Sequence, residues 1–189
     1  MEAILDAAAE VFAEQSFEAA SMEAIAERAG TSIGSVYQFF EKKQDVFVAL
    51  AHRCMEDIQR LSADLTSGVA FSGPWPELVD SAVDTFVTMA QEHPGLRALN
   101  TNPQLYGLFE EADRAQARAL IEQTARFLPA HIDNLEPEDA YRVATMVITT
   151  LNAAVFFASR SSAGEATALI TESKRMLRAY IATYADTEG

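Results

Sequence analysis

Cysteine and long apolar runs are scarce in this chain of 189 residues, and each scarcity excludes a class of protein. Cys54 is the single cysteine, so no disulfide can form within one chain, and a reducing, cytoplasmic location is expected. No apolar run approaches the roughly 18 residues that a helix needs to cross a bilayer. Neither a secretory signal nor a lipidation motif is present, and no membrane partner is expected.

Signatures of catalysis are also missing. The three histidines, His52, His93 and His131, lack the spacing of metal ligands. No Ser-His-Asp arrangement, phosphate-binding loop or dinucleotide fingerprint occurs either. We therefore predict that the chain is not an enzyme and that it has no catalytic residue, no metal ion and no cofactor.

Basic residues are few: the chain has 14 Lys and Arg against 28 Asp and Glu, and its formal charge is −14. This balance excludes a protein that coats nucleic acid regardless of sequence, because phosphate binding depends mainly on Lys and Arg. A local DNA-reading surface is still possible, because only the charge near a site acts on that site.

Helical periodicity dominates what is present. Nearly half of the residues (49%) are hydrophobic, and they recur at spacings of three and four without the alternation of a strand. The pattern predicts an all-α fold of about nine helices. These cover residues 2–15, 21–29, about nine residues of 31–40, 43–65, a segment between the loop 67–76 and His93, and residues 96–100, 104–128, 136–159 and 165–184.

The second and third predicted helices form a helix-turn-helix pattern, with Gly30 in the turn between them. On a helical wheel, the third helix turns its bulky residues Val36 and Phe40 to one side, with Ile33 near them. The opposite side carries small or polar residues, namely Thr31, Gly34, Ser35 and Gln38. A first turn so bare of side chains suits a recognition helix whose N-terminal end enters the major groove.

Gly34 is the most informative residue of this helix. Glycine costs about 1 kcal/mol relative to alanine in a helix interior, so a compensating gain is expected. Close approach to a base edge or phosphate is one such gain, and Lys43 at the start of the fourth helix is placed to bind a phosphate. The alternative is that Gly34 permits tight packing between helices while Ser32 only caps the third helix.

A longer pattern of residue types covers residues 4–47. It comprises the Ile-Leu-x-Ala-Ala start at residues 4–8, Phe12, Phe17, Ser21-Met22, Ile25-Ala26, Ala29-Gly30, Ser32, Gly34-Ser35, Val36-Tyr37, Phe40 and Lys43. This pattern resembles the DNA-binding domain of the TetR family of one-component transcriptional regulators. The resemblance implies a three-helix helix-turn-helix DNA-binding domain at residues 1–47 and a helical effector-binding and dimerisation domain at 48–189.

The resemblance implies a function as well: a sequence-specific transcriptional regulator, and a homodimeric repressor that a small-molecule effector releases from its operator. It also implies roles for single positions. Those matching Thr31, Ser32, Ile33, Gly34 and Ser35 meet bases or adjacent backbone, and those matching Tyr37, Gln38 and Lys43 meet phosphates. Ile33 stands where the family often has a polar residue, and it either contacts a thymine methyl group or joins Val36 in the core.

Three departures from the family pattern bear on this interpretation. Ser16 stands where glycine is common and Ala20 where threonine is common, so Ser21 is expected to cap the second helix. Residues 1–50 carry three Lys and Arg against nine Asp and Glu, a net charge of −6, and the basic arm usual in the family does not precede the first helix. Either the sequence belongs to a longer protein, which we prefer, or this regulator binds DNA weakly. A competing hypothesis is a dimeric small-molecule-binding protein whose helix-turn-helix no longer binds DNA.

The last two predicted helices each carry a long apolar stripe. The resemblance favours a four-helix bundle formed with the same helices of a second copy. A two-fold dimer would present two recognition helices to a palindromic double-stranded operator, whereas one short helix alone would bind weakly.

The remaining helices are expected to enclose the effector. Candidate effector-binding residues are Trp75, Phe86, Met89, His93, Tyr106, Phe109, Phe127, Thr149, Asn152 and Phe156. For the aromatic residues, ordinary core packing is the alternative. For His93 a helix-end position is favoured, and Asn152 is either a ligand contact or a hydrogen-bonded core or interface amide.

Overall fold

The computed structural model describes residues 1–66, 73–133 and 135–185, and within these the secondary structure is entirely helical. The helices are α1 (Glu2–Glu14), α2 (Met22–Arg28), α3 (Ile33–Tyr37), α4 (Lys43–Thr66), α5 (Trp75–Glu92), α6 (Pro94–Thr101), α7 (Glu110–Phe127), α8 (Pro137–Ala158) and α9 (Ala163–Ala185). Two 3-10 helices span Pro103–Leu108 and Leu128–Ala130. The predicted all-α fold is confirmed.

The chain divides into two compact units. The first contains residues 1–58 and 90–113, and the second contains the described residues of 59–89 and 114–189. The sequence-based boundary between residues 47 and 48 divides the chain elsewhere, because α6 packs along α1 in the first unit.

Aromatic rings form the centre of the first unit. Phe12 of α1, Phe17 of the following turn and Phe47 of α4 lie in mutual contact, with ring centroids 5.4 to 5.6 Å apart. Phe109 extends the cluster, 6.2 Å from Phe47. Buried apolar residues of α1, of α2 and of the first half of α4 converge on this core.

α6 approaches α4 closely because Gly95 has no side chain. A Cβ atom at Gly95 would lie 2.5 Å from the sulfur of Cys54, which is closer than packed atoms come. Burial raises the pKa of the Cys54 thiol to about 12, so the thiol is neutral at physiological pH. The single cysteine therefore acts as a small core residue of the first unit.

Two predicted helices differ from the observed ones. α3 has five residues where about nine were predicted, although the chain continues to turn, with Phe40 N donating to Val36 O at 3.0 Å. The helix predicted at 104–128 begins as the 3-10 helix at Pro103, and α7 follows only at Glu110. The loop predicted at 67–76 lies largely outside the described residues, and its last two residues, Trp75 and Pro76, begin α5.

The second unit packs α5, α8 and α9 around a core that includes Val83, Val143, Leu177 and Ile181. Ion pairs join α9 to α5: Lys174 to Asp84 at 2.5 Å and Arg178 to Asp80 at 2.8 Å. Within the described part of the chain, α8 alone is long and apolar enough to cross a membrane, by length and composition only. A third of its most apolar window is buried in the fold.

Candidate DNA interface and effector cavity

Side-chain caps define the helix-turn-helix. The hydroxyl of Ser21 accepts a hydrogen bond from Ala24 N at 3.1 Å, which confirms the predicted cap of α2. Gly30 has φ of 63°, the left-handed conformation expected of a residue that ends a helix. The hydroxyl of Ser32 accepts from Ser35 N at 3.1 Å and so begins α3. The turn between α2 and α3 is therefore specified by local sequence.

The first turn of α3 is open to solvent at Gly34. A Cβ atom added there would meet only Ser32 Oγ, at 3.8 Å, so tight packing between helices is not the reason for glycine. Val36 and Phe40 are buried behind it. Ser32 and Gln38 are exposed, Tyr37 is 51% exposed, and Thr31 and Ser35 are half-buried.

The sequence left two roles open for Ile33, a contact with a thymine methyl group or a place in the core. In the structure Ile33 lies against the core. It is half-buried and packs against the apolar core of the first unit. Its neighbour Val36 is fully buried in the same core. Ile33 therefore anchors the start of α3 from behind.

The structure gives Lys43 a different partner from the predicted phosphate. Its ammonium group donates to the backbone carbonyls of Phe17 at 2.5 Å, Ala20 at 2.6 Å and Glu18 at 3.3 Å. It also lies 4.5 Å from the centroid of the Phe17 ring, a cation–π contact. Lys43 thus closes the turn between α1 and α2, with its three donors already used.

The acidic residues of α1 bind two arginines. Arg28 of α2 pairs with Glu10 at 2.7 Å and Glu14 at 2.8 Å. Arg53 of α4 pairs with Asp6 at 2.8 Å and with Glu2 at 3.3 Å. Hydrogen bonding by the guanidinium of Arg28 lowers the pKa of Glu14. These arginines already have carboxylate partners, whereas Lys42 is exposed and has no acidic partner among the described residues.

Asn102 supports the turn before the helix-turn-helix, and the sequence did not indicate this role. It is fully buried at the end of α6. Its Oδ1 accepts from Phe17 N at 2.8 Å, and its Nδ2 donates to Ala98 O at 2.8 Å and Phe12 O at 3.4 Å. Phe17 and Phe12 lie 85 and 90 residues from Asn102 along the chain, so no local signal could have found these two contacts.

The turn held by Asn102 contains the one described non-glycine residue with positive φ. Ser16 has φ of 41°, a conformation that glycine adopts at least cost. This explains why glycine is common there in the family pattern. Asn102, Lys43 and Gln104, which bonds Glu18 at 2.9 Å, supply side-chain partners to the same turn.

A cavity lies within the second unit. Its empty space is about 770 Å³, a figure that includes the part open to solvent. The walls contributed by α8 and α9 are apolar, formed by Val147, Ile148, Leu151, Leu177 and Ile181. On α5 the lining is largely apolar, with Trp75, Leu78, Val79, Val83 and Phe86. No charged side chain lines the cavity among the residues that the structure describes.

Three of the ten effector-binding candidates line this cavity: Trp75, Phe86 and Phe127. Three others lie in the first unit. His93 caps α6 and contacts Asp57 at 3.1 Å, the helix-end role already favoured for it. The rings of Tyr106 and Phe109 meet edge to face. These three residues belong to the first unit, whereas every residue that lines the cavity belongs to the second.

The last four candidates also lie outside the cavity lining. Met89 is half-buried, and Thr149 and Asn152 are exposed on α8. The ring of Phe156 meets that of Phe157 edge to face and lies under the guanidinium of Arg160. The periodicity of α8 could not tell which of its faces meets the cavity.

Two family descriptions match the chain in order. "Bacterial regulatory proteins, tetR family" matches residues 4–50, and "Tetracyclin repressor-like, C-terminal domain" matches residues 74–181. The chain belongs to the TetR family. TetR-family proteins are DNA-binding transcriptional regulators with a ligand-binding C-terminal domain, so the helix-turn-helix and the cavity fall within the expected domains.

Similar proteins agree with this assignment. A TetR-family transcriptional regulator from Streptomyces coelicolor is 30% identical, with 97% of this chain and 98% of that chain covered and a TM-score of 0.67. An uncharacterized HTH-type transcriptional regulator of Mycobacterium tuberculosis is 28% identical over 167 residues, which cover 86% of this chain and 77% of the relative.

A third similar protein carries a bound molecule. The transcriptional regulator FadR from Bacillus subtilis, solved in complex with stearoyl-CoA, is 18% identical with a TM-score of 0.64, covering 93% of this chain and 96% of that one. At this identity the likeness concerns the fold alone.

Proposed function

We propose that the protein is a homodimeric repressor that reads a palindromic operator with α3 and leaves it when an effector fills the cavity. The observation that carries this proposal is the open first turn of α3. Gly34 has free space around it, while Val36 and Ile33 hold the helix from behind. A helix presented in this way can bring its backbone and small side chains close to base edges.

We assign the DNA contacts to side chains near α3 that neither pack on the core nor bond to the backbone carbonyls of the preceding turn. Thr31, Ser32, Gly34 and Ser35 would face the bases. Tyr37 and Gln38, both exposed, would bind phosphates. Ile33 supports α3 because it packs on the core. Lys43 supports the turn before α2 because it is bonded to backbone carbonyls.

Lys42 and Lys43 are expected to respond differently to replacement by alanine. Lys42→Ala removes an exposed cation, so the slope of log operator affinity against log salt should fall by about two in a dimer, one per phosphate contact. Lys43→Ala should leave that slope unchanged and instead lower the unfolding midpoint, because three backbone carbonyls lose their donor. Fluorescence anisotropy over a salt series and thermal unfolding measure the two effects. If Lys43→Ala instead reduced the slope and left the stability unchanged, Lys43 would bind a phosphate.

Exposed apolar side chains on α8 and α9 support dimerisation through these helices. Phe157 is 58% exposed, Met176 54% and Met146 47%. Large exposed apolar side chains favour a protein interface when they form one patch. The exposed Asn152 and Thr149 of α8 would then be interface residues, which is one of the roles first considered for Asn152.

Selection from random duplexes at low salt tests the proposal as a whole. The wild-type protein is expected to enrich a palindromic motif. Phe157→Glu places a carboxylate in the proposed interface and should give a monomer in sedimentation, without palindromic enrichment. Leu108→Glu is the matched control, because Leu108 is similarly exposed on a 3-10 helix far from α8 in sequence. Absence of any motif with the wild-type protein would favour the competing hypothesis of a dimeric binding protein that does not read DNA.

Release from the operator would run through α4. This helix begins at Lys43, which is hydrogen-bonded to the turn before α2, and it continues without a break to the cavity lining. Its lining residues are Ser62, Leu65 and Thr66. An effector can shift the helix only if it binds the two conformations with different affinity.

A further inference from the structure

The cavity of the second unit is lined by side chains that cannot pair with an ion. Its lining contains no acidic residue, no lysine, arginine or histidine and no amide side chain, among the residues that the structure describes. Moving an ion from water into such surroundings without a counter-charge is strongly unfavourable. A ligand that buries a carboxylate, phosphate or ammonium group in this cavity is therefore disfavoured.

The hydroxyl groups of the lining do not form one site for a polar head group. They lie on three different helices, as Ser62 and Thr66 of α4, Ser81 of α5 and Thr124 of α7. The hydroxyl of Thr66 is used within the protein, because it donates to Ser62 O at 2.8 Å and accepts from Gln123 Nε2 at 2.5 Å. Serine and threonine in helices commonly bond in this way to a carbonyl of the preceding turn. Hydrogen bonding thus offers a ligand little in this cavity.

Apolar side chains form the rest of the lining. Three of them are aromatic, namely Trp75 and Phe86 of α5 and Phe127 of α7. The α8 and α9 walls carry only branched aliphatic side chains: Val147, Ile148, Leu151, Leu177 and Ile181. Cavities lined in this way stay dry and bind hydrocarbons, because the ligand gains in proportion to the apolar surface that it removes from water. Size and shape then decide which ligand fits.

We propose that the effector is an uncharged, hydrocarbon-like molecule that the cavity recognises by its apolar surface and not by a head group. This inference rests on the proposal that the cavity is the effector site, and it assigns the chemical class of the ligand. The empty space of about 770 Å³, which includes the part open to solvent, sets the upper limit on ligand size.

Four probes that share one phenylbutyl skeleton test the class. Butylbenzene has no head group, 4-phenylbutanol and 4-phenylbutanamide have neutral polar heads, and 4-phenylbutanoate is charged at neutral pH. Trp75, the single tryptophan, lines the cavity and reports binding by its fluorescence. We expect butylbenzene to bind most tightly and the carboxylate at least about tenfold more weakly. Equal or tighter binding of the alcohol, the amide or the carboxylate, or no binding of butylbenzene, would overturn the inference.

The length of the alkyl chain gives a second measure on the wild-type protein. Ethylbenzene, propylbenzene and butylbenzene differ by one methylene group at each step. If apolar burial drives binding, the affinity should rise about fourfold for each methylene group. An affinity that does not change along this series would show that burial of the chain does not drive binding and would overturn the inference.

Two variants locate the probe and test the hydroxyl groups. Ala82→Phe fills part of the cavity and should weaken butylbenzene binding at least about tenfold, whereas Ala115→Phe, at an exposed position of α7, should leave it unchanged. Thermal unfolding without ligand verifies that both proteins fold. Thr124→Val keeps the shape but removes a lining hydroxyl, and it should leave butylbenzene binding unchanged or tighter. Wild-type affinity for Ala82→Phe, or a loss of binding for Thr124→Val, would contradict the assignment.

Operator release separates the inference from the proposed function. The same probes are added to the protein bound to its selected duplex. If butylbenzene binds preferentially but no probe releases DNA, the ligand class stands and the repressor mechanism fails. If 4-phenylbutanoate alone binds and releases DNA, the repressor mechanism stands and the ligand class fails.

Discussion

Gly34→Leu is expected to abolish specific operator binding while leaving the protein folded. The side chain would project from the first turn of α3 into the space that a base edge or phosphate must occupy. Affinity for the selected duplex should fall to that for an unrelated duplex, a loss of about 1,000-fold or more. The free energy of unfolding should stay the same or rise by up to about 1 kcal/mol, because leucine is a better helix former than glycine and nothing but Ser32 Oγ lies near.

Anisotropy titrations with specific and unrelated duplexes, together with thermal unfolding, measure both effects. Gly107→Leu is the matched control, since an added Cβ there also meets no atom within 4 Å and Gly107 lies on a 3-10 helix away from α3. Operator affinity equal to wild type for Gly34→Leu would remove α3 from the DNA interface.

Asn102→Ala is expected to lower the free energy of unfolding of the first unit by about 2–3 kcal/mol. Alanine leaves the buried Phe17 N without an acceptor and removes the donors to Ala98 O and Phe12 O. The turn that carries the positive φ of Ser16 then loses its main support. DNA binding should weaken in parallel, because this turn precedes α2 and sets the position of the helix-turn-helix.

Hydrogen exchange of the peptide that contains Phe17, read by mass spectrometry, reports the loss locally, and thermal unfolding reports it globally. Gln104→Ala is the control, because its bond to Glu18 reaches the same turn but is exposed and should contribute little. Exchange at Phe17 as slow as in the wild type would show that the buried amide does not hold the turn.

Local patterns predicted much of the first unit. The caps at Ser21 and Ser32, the left-handed Gly30 and the buried side of α3 depend on residues a few positions apart, so the sequence between 21 and 40 contained the needed information. The same reasoning placed a long apolar stripe on each of the last two helices. It could not say whether an apolar face meets the cavity, the core or solvent, and seven of the ten effector-binding candidates lie outside the cavity lining.

Charge and long-range polar contacts were harder to anticipate. A count of residues 1–50 indicates an acidic domain, but it does not reveal that Arg28 and Arg53 bind the acids of α1 or that Lys43 binds carbonyls. Asn102 and Asn152 illustrate the same limit. Asn152 stood out in an apolar stretch yet is exposed, whereas Asn102 looked like a loop residue yet is fully buried.

The sequence by itself determined that the chain is helical, that residues 21–40 form a helix-turn-helix and that the protein belongs among the TetR-like regulators. Only the tertiary structure decided which cations pair with carboxylates, which turn is held by Asn102 and that no charged side chain lines the cavity among the described residues. The physical reason is distance along the chain. Helix caps and periodic faces form between neighbours, whereas ion pairs, buried amides and cavity walls join residues that only folding brings together.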